Sequence, residues 1–174
     1  RPVVISALLV LFLAGGVVTW LVVASPFTVP AVTQTTVSFH NTILGVSLQY
    51  PQGWTAQLDT RHGAASFFDS NHTDQVNLNT SSKSGLSVDQ YIKNTIGQLG
   101  MTGQKNLSPL NVAGQAWQQV SGSVQVSGAT FTETLLVTTH ANRLYALLLM
   151  APASTYANAD RLFFAPMRSS FKFS

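Results

Sequence analysis

Cysteine is absent from this 174-residue chain, which removes disulfides, thiolate metal sites and cysteine nucleophiles from consideration. Charge is scarce too: only 9% of residues are Asp, Glu, Lys or Arg, with a net charge of +3. The bases are scattered from Arg61 to Lys172 without forming a run, whereas a nucleic-acid surface needs a clustered basic stripe. The acids are Asp59, Asp69, Asp74, Asp89, Glu133 and Asp160 alone. Asp89 falls in the first turn of a helix, where negative charge is favoured, and Asp160 and Glu133 read as surface residues on a helix and a strand. No Gly-x-Ser-x-Gly elbow, glycine-rich phosphate loop or His-Glu-x-x-His pair occurs. The chain is therefore not expected to be an enzyme, and no cofactor is predicted.

The strongest positive signal is another absence of charge, from Pro2 to Ala24, a run of Val, Leu, Ile, Ala and Phe. At about 1.5 Å per residue, roughly 22 helical residues reach about 33 Å, enough for a hydrocarbon core of about 30 Å. A secretory signal peptide is the rival reading, with Val22-Val23-Ala24 as a tolerable cleavage site. Its apolar region is normally about 7–15 residues, which favours a retained transmembrane helix over residues 1–24. Arg1 before the span puts the N-terminus on the cytoplasmic side and the remainder in the periplasm, cell exterior or lumen. Trp20 suits the outer headgroup layer, and Gly15, Gly16 and Thr19 form a small-residue face that lets another helix approach. Residues 25–38 follow as an extended, proline-marked linker.

Residues 39–174 read as one domain of ordinary size. Val46 to Tyr50 alternates as a half-buried strand, Pro51-Gln52-Gly53 turns, and Trp54, Ala56 and Leu58 resume the period of two as the other arm of a hairpin or bent strand pair. Strands are also expected at Ala64–Phe68 and Gln75–Asn79. Ser87-Val88-Asp89-Gln90 fits a capping box, Val88, Tyr91, Ile92, Ile96 and Leu99 make one apolar stripe, and Gly100 stops the helix. After a Gly/Asn/Pro-rich stretch come strands at 116–126, 130–139 and 144–150, the last apolar on both faces and so central. Ser154 is expected to cap a last helix that Pro166 cuts, and Ser170 to Phe173 to return as a strand. This order predicts an α+β domain, an antiparallel β-sheet flanked by helices and preceded by a single transmembrane helix.

Leu44-Gly45-Val46-Ser47-Leu48-Gln49-Tyr50-Pro51-Gln52-Gly53-Trp54 resembles the opening motif of the PsbP-like domain family, in which a glycine, an alternating strand, "YP" and "GW" begin the fold. The helix near Tyr91, the turn at Val112–Ala116, Arg143-Leu144-Tyr145 and the closing Ser169-Ser170-Phe171 agree with it, over about residues 38–174. The resemblance implies an antiparallel sheet flanked by helices and no common enzymatic activity. Its members include extrinsic subunits and assembly factors of photosynthetic complexes and envelope lipoproteins of the DcrB type. This chain departs from them in carrying a span, which favours a permanent place in a complex.

Asp69-Ser70-Asn71-His72-Thr73-Asp74 is the one cluster with metal-ligand character: Asp69, Asn71 and Thr73 oxygens could meet Ca²⁺, and His72 with Asp74 could meet Zn²⁺. A polar hairpin tip explains the same letters. Trp54 reads as core, whereas Trp117 falls on the polar face of its strand and is a candidate partner surface. The favoured function is a non-catalytic accessory or assembly subunit of a membrane complex, photosynthetic or electron-transferring by resemblance, partnered by integral subunits and the bilayer. The alternative is an extracytoplasmic ligand-binding or envelope stress-sensing domain using a cleft between sheet and helix.

Overall fold

Two antiparallel sheets take up most of residues 34–82 and 85–174, which this computed structural model describes. In chain order the elements are β1 (Thr36–Asn41), β2 (Val46–Pro51), β3 (Thr55–Asp59), β4 (Ala64–Phe68), β5 (Gln75–Ser82), α1 (Val88–Leu99), β6 (Thr102–Val112), β7 (Gln115–Val126), β8 (Ala129–His140) and β9 (Arg143–Pro152). A C-terminal helical stretch comprises α2 (Tyr156–Ala159), a π-helical turn (Asp160–Phe164) and α3 (Ala165–Ser170), and β10 (Lys172–Phe173) follows it. The small sheet has the order β1-β2-β10 and the large one β3-β4-β5-β9-β8-β7-β6. Among the described residues no helix is long and apolar enough to cross a membrane. The expected span, with Gly15, Gly16, Thr19 and Trp20, lies outside them.

The large sheet is covered on both faces, and alternation explains how. Leu78, Leu136, Leu147 and Leu149 point one way, into a core shared with Leu44, Val46 and Leu48 of the small sheet and Phe164 and Phe171 of the C-terminal stretch. Val120, Leu135, Val137, Leu144 and Ala146 point the other way and meet Ile92, Val88, Tyr91 and Ile96 of α1. β9 therefore needs apolar residues in both registers, as its sequence indicated, and it occupies the middle of the sheet. The α1 boundaries also follow the sequence. Ser87 Oγ accepts the Gln90 N–H at 3.2 Å, and Gly100 ends the helix at φ 63°.

Several expectations are corrected. Strand β1 begins at Thr36, inside the segment read as linker, and its Phe39 meets Phe67 edge-on at 5.1 Å. Strands β2 and β3 are not a hairpin but belong to different sheets. The Pro51–Gly53 turn, closed by Trp54 N–H donating to Pro51 O at 3.1 Å, carries the chain from one layer to the other. The Gly/Asn/Pro-rich stretch is the edge strand β6, exposed on both faces and interrupted by two register shifts. An edge strand tolerates Gly103 and Pro109 because its outer groups need no ladder partner. Thr155, not Ser154, occupies the cap position before α2 and makes no side-chain cap. Pro166 does not cut the helix either. The wider turn before it, in which Ala165 N–H reaches back to Asp160 O, relieves the clash a proline makes with the preceding α-turn.

Candidate functional site

The loop between β4 and β5 closes on the carboxylate of Asp69. Asp69 Oδ1 accepts from Thr73 N at 2.7 Å and Asp74 N at 3.1 Å, and Oδ2 accepts from Thr73 Oγ1 at 3.0 Å. His72 takes a left-handed backbone, φ 56°, and stacks its ring on Phe68 at 4.2 Å. Burial acts to raise the Asp69 carboxyl, but the Asp74 N–H, the Thr73 hydroxyl and N–H and the Asn71 N–H outweigh it and hold it below the ordinary carboxylate value. Asp74 is raised, first by burial and then by the Asp69 charge. Among the described residues no group of three His, Cys, Asp or Glu side chains is placed to hold a metal. These contacts are those of a self-closed turn.

Trp117 is not a surface residue. It is 0% exposed, its Nε1 donates to Val112 O at 3.2 Å, and its ring meets Phe171 edge-on at 5.5 Å and stacks over Phe173 at 6.2 Å. Its strand face carries Gln119, Ser121 and Ser123, which suggested solvent, yet the chain's last residues fold back over the end of β7 and cover it. Residues of the opening motif are likewise structural. Leu44, Val46 and Leu48 are buried, Tyr50 packs on Phe67, and Trp54 packs on Phe163. Gly45, at φ +70°, sits where a Cβ would come within 3.1 Å of Tyr145 Oη.

Glu133, read as exposed, is buried at 4% exposure, and its Oε2 has no hydrogen-bond partner. Burial raises its carboxyl above the ordinary value. On the other face of β8, Tyr156 Oη donates to Thr134 Oγ1 at 2.6 Å, which donates to Ser121 Oγ at 3.0 Å, which donates to Glu133 O at 3.1 Å. Burial, the leading cause, pushes the Tyr156 phenol up to about 12, so it stays protonated and serves as a donor anchoring α2 to the sheet.

A cleft of about 620 Å³ lies between α1 and strands β6 and β7. Small-molecule sites commonly measure about 300–1,000 Å³. Its lining mixes apolar Ile92, Ile96 and Val120 with polar Gln104, Asn106 and Gln118, and Asp89 and Lys93 stand on the helix side. Sequence reasoning placed a cleft between sheet and helix but not these residues, since β6 was not recognised as a strand.

No family model and no curated protein matches this sequence. Solved structures do match. The cyanobacterial PsbP (CyanoP) of Synechocystis sp. PCC 6803 aligns at 15% identity over 83% of this chain and 96% of that one, with a TM-score of 0.58. The Ran-binding protein Mog1p of Saccharomyces cerevisiae aligns at 10% identity over 81% and 96%, with a TM-score of 0.57. LpqN of Mycobacterium tuberculosis, involved in cell envelope biogenesis, aligns at 14% identity over 82% and 92%, with a TM-score of 0.50. In a longer Bacteroides thetaiotaomicron protein, matched at 13% identity and a TM-score of 0.56 over 79% of this chain, the chain spans only 48% of the length. At such identities the likeness carries the fold alone. The described domain has a PsbP/Mog1-like fold, mostly antiparallel sheet flanked by short helices.

Proposed function

We propose that this chain is a non-catalytic accessory or assembly subunit of a membrane protein complex, held in the bilayer by residues 1–24 with its PsbP/Mog1-like domain covering the extracytoplasmic face. The observation that carries this reading is the union, in one chain, of a charge-free run long enough for a bilayer and a domain of this fold. The three neighbours are a PsbP, a Ran-binding protein and a protein of envelope biogenesis, so the fold by itself selects none of these roles. The photosynthetic or electron-transfer setting comes by way of the family resemblance. In this account the domain works through shape and surface burial, and the Asp69 loop closes a turn. A second reading, an extracytoplasmic ligand-binding or stress-sensing domain, is favoured by the cleft beside α1.

Membranes bearing the full chain should retain it through an alkaline carbonate wash, with the domain resistant to protease on the cytoplasmic face and cleaved once the extracytoplasmic face is opened to it. Release into the wash, or cleavage of the domain from the cytoplasmic face, overturns the anchored, extracytoplasmic arrangement.

A further inference from the structure

Among the described residues, Glu133 alone carries a buried side-chain oxygen that nothing satisfies: the residue is 4% exposed and its Oε2 has no hydrogen-bond partner. No basic side chain relieves it, because the ion pairs among those residues join His62 to Asp59 and Arg168 to Asp160. A carboxylate so placed is neutralised only by a positive species from solution, a proton or a metal ion.

The neighbours of Glu133 distinguish the two. Strand register sets it beside Met150 of β9 on one side and Gly122 of β7 on the other, all on the sheet face that α1 covers. Direct cross-strand partners hold their Cβ atoms about 4.5–5.5 Å apart. Gly122 has no side chain, and Met101, the residue after the Gly100 stop of α1, takes that space: a Cβ on Gly122 would lie 2.8 Å from Met101 Sδ. Glu133 is thereby flanked by two thioether side chains, in a chain with three methionines and no cysteine. A thioether has no proton to donate, so neither neighbour can satisfy Oε2. Met101 is buried and Met150 is half-buried, which leaves an approach past Met150 on the side of its β5 partner Gln75.

Two thioether sulfurs and one carboxylate oxygen make a soft donor set. Ca²⁺ and Mg²⁺ take shells of oxygen, Zn²⁺ takes Cys, His and carboxylate, and thioethers select Cu(I). The geometry points to a soft-metal site formed by Met101, Glu133 and Met150 that takes Cu(I). The sulfurs supply selectivity, and the carboxylate neutralises the single charge of the ion. The competing state is a protonated Glu133 between two methionines that merely fill core space. This inference goes beyond both functional readings and stands or falls apart from the membrane anchor.

The test uses the full chain in detergent, titrated anaerobically with Cu(I) against a colorimetric chelator, with Zn²⁺ and Ca²⁺ as comparison ions. One equivalent of Cu(I) is expected to bind and to raise the denaturation midpoint, with a sulfur shell in its X-ray absorption spectrum. Met101→Leu, Met150→Leu and Glu133→Gln nearly conserve volume, and each should weaken Cu(I) binding by more than about tenfold. Met167→Leu, at the third methionine, in the core on the other face of the sheet, should leave it unchanged. No Cu(I) binding, or binding that survives all three site substitutions, overturns the proposal and leaves the protonated carboxyl. Equal stabilisation by Zn²⁺ or Ca²⁺ overturns the choice of a soft ion. Should any variant lower the metal-free denaturation midpoint, the sulfur shell of the parent complex and its loss in the remaining variants decide.

Discussion

Trp117 acts as the closing wedge between the end of β7 and the chain's last residues, and its removal would leave a large void among Phe171, Phe173 and the sheet. Trp117→Ala is expected to cost about 3–5 kcal/mol in chemical denaturation, as for other buried aromatic truncations. A change within about 0.5 kcal/mol, as at a surface site, would contradict that placement. Gly45→Ala puts a Cβ against Tyr145 Oη on a left-handed backbone and should destabilise by about 1–2 kcal/mol. The two perturbed carboxyls give opposite pH signatures. Glu133 is raised above its ordinary 4.5 in the folded state, so its contribution is fully present below that pH and is lost as pH rises through the folded value. Glu133→Gln should therefore gain stability over the parent at neutral pH, with the gain vanishing near pH 4. Asp69 is lowered from 3.8, so its contribution is present above that pH and lost as pH falls through the folded value. Asp69→Asn should lose stability at neutral pH and converge on the parent in acid. Denaturant midpoints across pH read both, and parallel pH profiles for parent and variants would refute the assignments. The Asp69 turn was one of two readings its letters allowed, whereas the burial of Trp117 and Glu133 was not legible from single letters. Trp117 was misplaced because its strand neighbours are polar, and Glu133 because a carboxylate without a partner is ordinarily left in water.

At the scale of elements, pattern and chemistry agreed wherever a segment had a buried face. α1 was legible from its Ser87 cap through its apolar stripe to Gly100, because helix start, period and stop all coincide in sequence, with the Ser87 half of the expected capping box formed. Ser87→Ala is expected to cost about 1 kcal/mol by leaving the Gln90 N–H without its acceptor, measured by thermal or urea unfolding. Strands β4, β5, β7, β8 and β9 were likewise visible through alternation, or through apolar residues on both faces. The segments that were missed expose most of both faces. β6 packs little and reads as loop, and β1 contributes one inward aromatic, Phe39. Pairing is the other thing sequence withheld. Nothing in Tyr50-Pro51-Gln52-Gly53-Trp54 says that the two flanking strands part into separate sheets, since that is decided by their other partners, β1 and the distant β10 for β2 and β4 for β3. The π turn before Pro166 has the same character, a local accommodation that holds Phe164 and Met167 in the core.

At the scale of the molecule, a central sheet packed on both faces leaves most of its chemistry at the periphery: a self-closed loop, a cleft beside α1 and the two edges β3 and β6. Under the proposed reading the domain works by contact and position, joined to a segment whose composition suits lipid. The central claim is permanent membership of a membrane complex. Its most direct measurement is native separation of source membranes solubilised in mild detergent, followed by identification of what migrates with the full chain. The account predicts stoichiometric co-migration with other integral subunits; a chain that runs alone as a monomer would contradict it.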